Sequence, residues 1–159
     1  MHKKLLVTAY FVIAALLQTL AGNFPLSFFA FPLNVIVAVI WIYSLWRLYK
    51  EGNKLPLTRF LLSSRTSVLS ILLLIGGSLV IGLFPQLSEA EADSMPGVLA
   101  SLGCYNFMTS WIFIAILFLL LSNLAMVIIH AFYHCVRAKK RFILNHLGLW
   151  LALFAGFFG

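Results

Sequence analysis

His146 is the residue whose type and setting most directly suggest chemistry in this sequence. It lies in the last stretch of the chain, KKRFILNHLGLWLALFAGFFG, in which Lys139, Lys140 and Arg141 precede an apolar segment of eighteen residues, Phe142–Gly159. At about 1.5 Å per residue, a helix of this length covers roughly 27 Å, close to the thickness of a bilayer's hydrocarbon core. An ionisable side chain is costly inside such a span, so His146 is a candidate functional residue.

The face of the predicted helix around His146 is aromatic and aliphatic. At 100° per residue, the histidine shares its face with Trp150, Leu153 and Phe157. A histidine at the end of such a wall suits a flat, apolar ligand with a metal at its centre. The alternative is that Trp150 and Phe157 face lipid, and helix spacing alone does not separate the two interpretations.

Small residues at four-residue spacing predict close helix contacts in two places. The last helix has a stripe formed by Gly148, Ala152 and Gly156, on a different face of the helix from His146. A shorter step earlier in the chain is formed by Ser78 and Gly82. Such residues allow helix backbones to approach one another closely within a membrane.

Composition places the whole chain in a membrane. It is 63% hydrophobic and 9% charged, with a mean hydropathy of +1.06, values that exclude an ordinary soluble domain. The apolar runs lack the alternation of a β-barrel, so helices are expected. We therefore predict an all-α, polytopic membrane protein, a bundle of about five transmembrane helices. The spans are Leu5–Ala21, Leu33–Tyr49, Ser67–Phe84, Trp111–Tyr133 and Phe142–Gly159.

The basic residues predict the topology. Of the eleven Lys and Arg, Arg47 lies in the last turn of span two, and the other ten precede the first span or lie between spans two and three or four and five. The loops Gly22–Pro32 and Pro85–Ser110 have none. By the positive-inside rule the N-terminus is cytoplasmic and Gly159 lies outside. The net charge of +7 is explained by this topology and by anionic headgroups, so the expected partner is the lipid bilayer and not nucleic acid.

Polar residues near the end of the fourth span have a structural and a metal-binding interpretation. His130 and His134 are four residues apart, beside Cys135, and could share a metal ion. No further Cys or His completes a structural zinc site, so a role at the membrane interface is preferred. Ser122 and Asn123 are expected to hydrogen-bond between helices.

The outer loop offers no acid–base site. Glu89, Glu91 and Asp93 have no apolar surroundings in the sequence and are expected to be solvated. Cys104 and Cys135 fall on opposite sides of the predicted membrane, so they are not expected to pair within the chain.

Three segments in the later part of the chain share features in a fixed order. A span ends in Gly followed by a Pro-Gln exit, the next opens Ser-Trp-x-Phe and contains an Asn, and the last begins His-Leu-Gly. The segments are RTSVLSILLLIGGSLVIGLFPQ (65–86), SWIFIAILFLLLSNLAMVI (110–128) and HLGLWLALFAGFFG (146–159). Together they resemble the N-terminal membrane part of ResB-like (CcsB-type) cytochrome c biogenesis proteins.

The chain also departs from this family. Leu83 stands where a Thr or Ser is expected, and Ile112 stands in place of the second Trp of Ser-Trp-Trp-Phe. The family's large extracytoplasmic domain and its following span are absent, and so is a tryptophan-rich haem motif. The resemblance therefore divides the chain into a two-helix extension with a basic inner loop, 1–64, and a ResB-like three-helix region, 65–159, expected to be truncated.

The resemblance implies a part in cytochrome c maturation at the bacterial inner membrane. There a ResB-like subunit and a CcsA-type subunit carry haem outward and present it to apocytochrome c for covalent attachment. By position, His146 would be an axial ligand of the haem iron, with Trp150 and Phe157 beside the haem, and a second ligand from His130 is an open hypothesis. The chain would be at most a non-autonomous component of the haem-attaching complex.

Two other classes of function remain open. The chain could be a non-catalytic membrane scaffold or interaction subunit that binds no cofactor. It could also be a small transporter or channel subunit, but the middles of its spans are almost all apolar, which argues against that class.

Overall fold

The computed structural model describes residues 2–52, 55–134 and 140–158. It is 83% helical and has no strand, which confirms the all-α prediction. The described chain contains eight α-helices and two short 3-10 helices, Leu26–Phe29 and Cys104–Thr109. The α-helices are α1 His2–Ala21, α2 Leu33–Lys50, α3 Pro56–Leu61, α4 Ser64–Leu83, α5 Glu89–Asp93, α6 Val98–Ser101, α7 Trp111–Tyr133 and α8 Lys140–Phe158.

Four helices, α2, α4, α7 and α8, are long and apolar enough to cross a membrane. The apolar part of α1 is shorter, Leu5–Ala21, so the fifth span stays a prediction. The basic residues Arg65, Lys140 and Arg141 begin α4 and α8, whereas the sequence had placed them in loops.

The chain folds as two compact units, each assembled from separate stretches of sequence. The first comprises Met1–Leu26 and Leu69–Phe118, and the second comprises Ser27–Val68 and Leu119–Gly159. The predicted division at residue 64 follows the sequence resemblance, whereas each compact unit combines an early and a late part of the chain.

In the first unit, a buried glutamine joins the end of α1 to the start of α7. Gln18 is only 4% exposed; its Oε1 accepts from the backbone N–H of Trp111 at 2.9 Å, and its Nε2 donates to Asn23 at 3.0 Å. Ser110 caps the start of α7, because its hydroxyl accepts from the N–H of Phe113 at 3.1 Å.

A second glutamine in the first unit closes the long loop after α4. The Oε1 of Gln86 accepts from the N–H of Phe107 at 3.0 Å, and its Nε2 donates to the carbonyl of Cys104 at 3.2 Å. The N–H of Leu87 donates to the carbonyl of Tyr105 at 2.7 Å. These bonds satisfy backbone groups of a segment that has little regular secondary structure of its own.

In the second unit, polar side chains join α2, α3 and α7 at buried positions. Trp41 donates to the hydroxyl of Ser122 at 3.2 Å, and the amide of Asn123 donates to the carbonyl of Leu61 at 2.6 Å. The predicted interhelical role of Ser122 and Asn123 is confirmed.

The close contact on α4 lies at Gly77, one residue before the predicted step. A Cβ built at Gly77 would lie 3.3 Å from the rings of Phe107 and Phe113, so only a glycine fits without displacing them. The hydroxyl of Ser78 instead bonds to its own helix, at the carbonyl of Leu74, and no described atom lies within 4 Å of a Cβ at Gly82.

Candidate functional site

The candidate site is an aromatic ladder along α8 in the second unit. Each member lies four residues after the one before it, so neighbouring members stand one above the other while the series winds round the helix. They are Phe142, His146, Trp150, Phe154 and Phe158. Ring centroids lie 3.8 Å apart for Phe142 and His146, 4.7 Å for Trp150 and Phe154, and 4.8 Å for Phe154 and Phe158. Phe154 and Phe158 were not expected in the site, although their four-residue spacing is visible in the sequence.

His146 is held in one orientation by its own helix. Its Nδ1 lies 2.8 Å from the carbonyl oxygen of Phe142, and its ring stacks on the Phe142 ring. A carbonyl oxygen can only accept, so Nδ1 carries the proton and Nε2 of the neutral imidazole keeps its lone pair. This is the tautomer that a metal-ligating histidine adopts when its other nitrogen donates to a backbone carbonyl. His146 is half-buried, so the ring is accessible.

Trp150 is fixed by α2 and α7. Its indole N–H donates to the carbonyl of Leu121 at 3.1 Å, and its ring stacks on Trp41 with centroids 6.3 Å apart and planes inclined by 17°. Trp41 is nearly parallel to Phe154 as well, at 6.4 Å and 6°. Trp150, Trp41 and Phe154 therefore form a stack of rings, and α2 supplies one of them, which helix periodicity within α8 could not have shown.

Phe157 faces the interior of the second unit. It is 9% exposed and packs edge-on against Phe29 and Phe158, with centroids 4.8 Å and 4.9 Å away. The structure thus places Phe157 in the core of the second unit, where it does not face lipid. By helix periodicity it still shares a face with His146, about three turns further along α8.

An apolar groove of about 330 Å³ runs between α2 and α8. Phe154, Phe158, Val35, Val39 and Ala38 are among its lining residues, and Asn34 supplies its polar end. The Asn34 amide donates to the carbonyl of Phe158 at 2.8 Å. The groove lies two to three helical turns from His146, since one turn takes about 3.6 residues, so it is a separate feature from the histidine.

The small-residue stripe of α8 is open. Gly148, Ala152 and Gly156 are exposed, and no described atom lies within 4 Å of a Cβ built at either glycine. The stripe therefore makes no close contact with the described part of the chain, and there is room for another helix against it.

His130 and His134 stand side by side at the end of α7, with ring centroids 4.3 Å apart. The hydroxyl of Tyr49, on α2, lies 3.2 Å from Nδ1 of His130 and 3.3 Å from Nδ1 of His134. The neighbouring Cys135 lies outside the described residues. Within the described ranges no three His, Cys, Asp or Glu side chains form a group that could hold a metal ion.

The acidic part of the loop between α4 and α7 is a short helix. Glu89–Asp93 form α5, and Glu91 closes a capping box by accepting from the hydroxyl and the N–H of Ser88 at 2.7 Å and 3.1 Å. These hydrogen bonds lower the pKa of the exposed Glu91. Cys104 is a free, buried cysteine, and burial raises the pKa of its thiol. Neither group belongs to the ladder.

The fold and site define an all-helical chain with four helices able to cross a membrane and an oriented histidine on one of them. Comparisons with family models, with curated proteins and with solved structures found no match. The resemblance to ResB-like proteins therefore depends on the sequence features quoted above.

Proposed function

We propose that this chain is an integral membrane protein of the bacterial inner membrane with its N-terminus in the cytoplasm. Its four long apolar helices and the confinement of all Lys and Arg to alternate segments support this. With α1 as a fifth span, both Lys50 and Lys140 lie at cytoplasmic helix ends. Lys139 and Gly159, which carry part of the predicted topology, lie outside the described residues.

We further propose that the protein holds haem on His146 while haem is delivered for cytochrome c maturation. The observation that carries this proposal is the 2.8 Å contact between His146 Nδ1 and the carbonyl of Phe142, because it leaves Nε2 available as an axial ligand. Neutral imidazole is an ordinary ligand of haem iron. When bound, haem would supply the iron and the vinyl groups that react with cysteines of apocytochrome c.

The surroundings of His146 fit a flat, apolar ligand. Trp150 is half-buried and lies one turn further along α8 than His146. Its indole is held in place by a hydrogen bond to the carbonyl of Leu121 and by stacking on Trp41. The residues that would hold haem in this proposal are His146 and Trp150. Phe157, buried against Phe29, would act indirectly by fixing the end of α8.

A CcsA-type subunit is the proposed partner in the membrane, and apocytochrome c is the proposed acceptor of the haem. The open stripe of Gly148, Ala152 and Gly156 supports a helix partner, because it lies on the same helix as His146 and has room for close contact.

The first test is the absorption spectrum of the detergent-purified protein from haem-replete cells. We expect a Soret band in the wild type that is lost or shifted in His146→Ala. Asn145→Ala, the exposed neighbour of His146 in the same helical turn, is the matched control and should keep the band. A colourless wild type that stays colourless after co-expression with a CcsA-type subunit would rule out the haem role.

The open stripe also favours a second candidate function, a membrane interaction subunit without a cofactor. In that case Gly148→Leu or Gly156→Leu would abolish co-purification of a partner, because a large side chain blocks close helix approach. His146→Ala would leave co-purification unchanged. Under the haem proposal, by contrast, His146→Ala alters the haem spectrum even when the partner is retained.

A further inference from the structure

A second cluster of potential ligands lies at the basic end of α2 and α7. His130 and His134 are exposed residues one turn apart on α7, and Tyr49 approaches them from α2. The Tyr49 and His130 rings meet edge-on with centroids 6.0 Å apart. The cluster uses none of the residues of the aromatic ladder, and the proposed haem role does not involve it.

The two oxygen–nitrogen distances of this cluster match the separation of two ligands on one metal ion. The Tyr49 oxygen lies 3.2 Å from Nδ1 of His130 and 3.3 Å from Nδ1 of His134. Imidazole nitrogen and carboxylate oxygen bind a zinc ion at about 2.0–2.2 Å, so two such ligands at a tetrahedral angle lie roughly 3.3 Å apart. The Tyr49 oxygen is therefore placed to share an ion with either imidazole nitrogen.

The protons of the cluster can be assigned from its hydrogen bonds. Nδ1 of His134 also lies 3.1 Å from the carbonyl oxygen of His130, which can only accept, so this nitrogen carries a proton. Tyr49 then accepts from His134 and donates to Nδ1 of His130. These hydrogen bonds hold the two imidazole rings and the phenol together. A metal ion can bind at the same nitrogen and oxygen atoms in place of the protons.

Neighbouring side chains hold Tyr49 in place. Its ring packs on Tyr133 with centroids 5.1 Å apart, and the Tyr133 hydroxyl accepts from the indole of Trp46 at 3.1 Å. Lys50 lies over the Trp46 ring at 4.0 Å, and Arg47 is paired with Glu51. Lys50 and Arg47 therefore have contacts of their own. The groups that lie close to one another are the two imidazoles and the phenol.

We propose that His130, His134 and Tyr49 bind a first-row divalent transition metal ion through two imidazole nitrogens and the phenol oxygen. Imidazole suits zinc, copper, iron and nickel. Binding releases the hydroxyl proton of Tyr49 to solvent, and the proton on Nδ1 of His134 moves to Nε2, so both His130 and His134 ligate as neutral imidazoles. A site with three protein ligands retains a position for water, unlike a structural zinc site with four.

The experiment uses the full chain in detergent, purified without a histidine tag, and Zn²⁺ in competition with a chromophoric chelator. We expect one Zn²⁺ per chain in the wild type and affinity at least about tenfold weaker in His134→Gln and in Tyr49→Phe. Tyr43→Phe, which alters an exposed tyrosine on the same helix, is the matched control and should bind as the wild type does. Substitution with Co²⁺ should give visible bands of a tetrahedral or five-coordinate ion.

Two results would overturn the proposal. One is a wild type that binds Zn²⁺ no more tightly than His134→Gln. The other is Tyr49→Phe binding as tightly as the wild type, which would reduce the cluster to an ordinary pair of histidines on one helix. Tyr49→Phe preserves the ring packing on Tyr133, and unchanged helical circular dichroism verifies that each variant is folded before its affinity is compared.

Discussion

At the scale of single residues, hydrogen bonds to the preceding turn decide which atoms remain for a ligand. His146 gives Nδ1 to the carbonyl of Phe142, so its outward nitrogen is Nε2. His134 makes the same contact with His130, but Tyr49 lies close enough to compete for its Nδ1. We therefore propose different chemistry for two histidines with the same local contact. His146 would be an axial ligand of haem, and His134 would share a metal ion with His130 and Tyr49.

A substitution at Asn123 measures how much a single buried hydrogen bond contributes to the free energy of unfolding. We expect Asn123→Leu, of similar size, to lower the free energy of unfolding by about 1 kcal/mol, because the carbonyl of Leu61 loses its 2.6 Å donor. The measurement is unfolding in detergent by titration with sodium dodecyl sulfate. Asn145→Leu, at an exposed position, should change stability by less than about 0.5 kcal/mol. Equal unfolding midpoints for the two variants would contradict the assigned bond.

Substitutions at Gly103 and Gly22 distinguish the stability cost of backbone strain from that of steric crowding. Both have φ of +74°, but a Cβ at Gly103 would lie 2.9 Å from Nε2 of Gln18, whereas nothing lies within 4 Å at Gly22. Gly22→Ala should cost about 1 kcal/mol through the left-handed backbone alone. Gly103→Ala should cost roughly 1–3 kcal/mol more, since buried Gln18 has to move. Thermal unfolding in detergent measures both, and equal losses would show that Gln18 yields freely.

At the scale of elements, the sequence predicted the long helices well because their apolar runs are bounded by strong signals. Trp111–Tyr133 has the predicted bounds, and Ser110 caps it. The acidic segment between α4 and α7 was expected to be a solvated loop, but Ser88 and Glu91 form a capping box that starts α5. The Ser-x-x-Glu pattern that favours such a helix start is present in the sequence.

The candidate site was only partly predictable for a physical reason. Helix periodicity located His146 and Trp150 on one helix, but it could not show that Trp41 of α2 stacks on Trp150. It also placed Phe157 on the face of His146, but it could not show that Phe157 packs against Phe29. Contacts between residues more than a hundred positions apart depend on how helices pack, and a single sequence contains no direct record of that.

The short helix α5 should loosen in acid. The hydroxyl and N–H of Ser88 stabilise the ionised form of Glu91 and lower its pKa below the ordinary 4.5. A lowered pKa means that this stabilisation is complete above 4.5 and is lost as the pH falls through the lower, folded value. Hydrogen exchange of residues 88–94, corrected for intrinsic rates, should therefore accelerate below pH 4.5.

Two variants test the cause of this pH dependence. Ser88→Ala removes the hydroxyl and should make exchange in α5 faster and less dependent on pH in this range, because only the backbone N–H of residue 88 then donates to Glu91. Glu89→Gln removes a neighbouring carboxylate that is not the capping group and should leave the wild-type profile in place. A Ser88→Ala profile that matches the wild type would show that the capping box does not stabilise α5.

At the scale of the whole molecule, the distribution of charge links the separate proposals. Glu51 and Lys50 close the end of α2 beside the His130–His134 cluster, whereas Glu89 and Glu91 belong to a segment without Lys or Arg. In the proposed topology the metal cluster faces the cytoplasm and α5 faces the outside. His146, near the basic start of α8, is then in the cytoplasmic half of its span, where haem would arrive from inside the cell.

Accessibility of introduced cysteines tests this topology directly. In a background of Cys104→Ser and Cys135→Ser, Ser94→Cys and Glu51→Cys each place one thiol at an exposed position. In intact bacterial cells, a membrane-impermeant maleimide should label Ser94→Cys, because the positive-inside rule places the outer loop outside. Glu51→Cys should react only after the cells are permeabilised. Labelling of Glu51→Cys in intact cells, with Ser94→Cys protected, would invert the topology and place His146 in the outer half of the membrane, away from a cytoplasmic supply of haem.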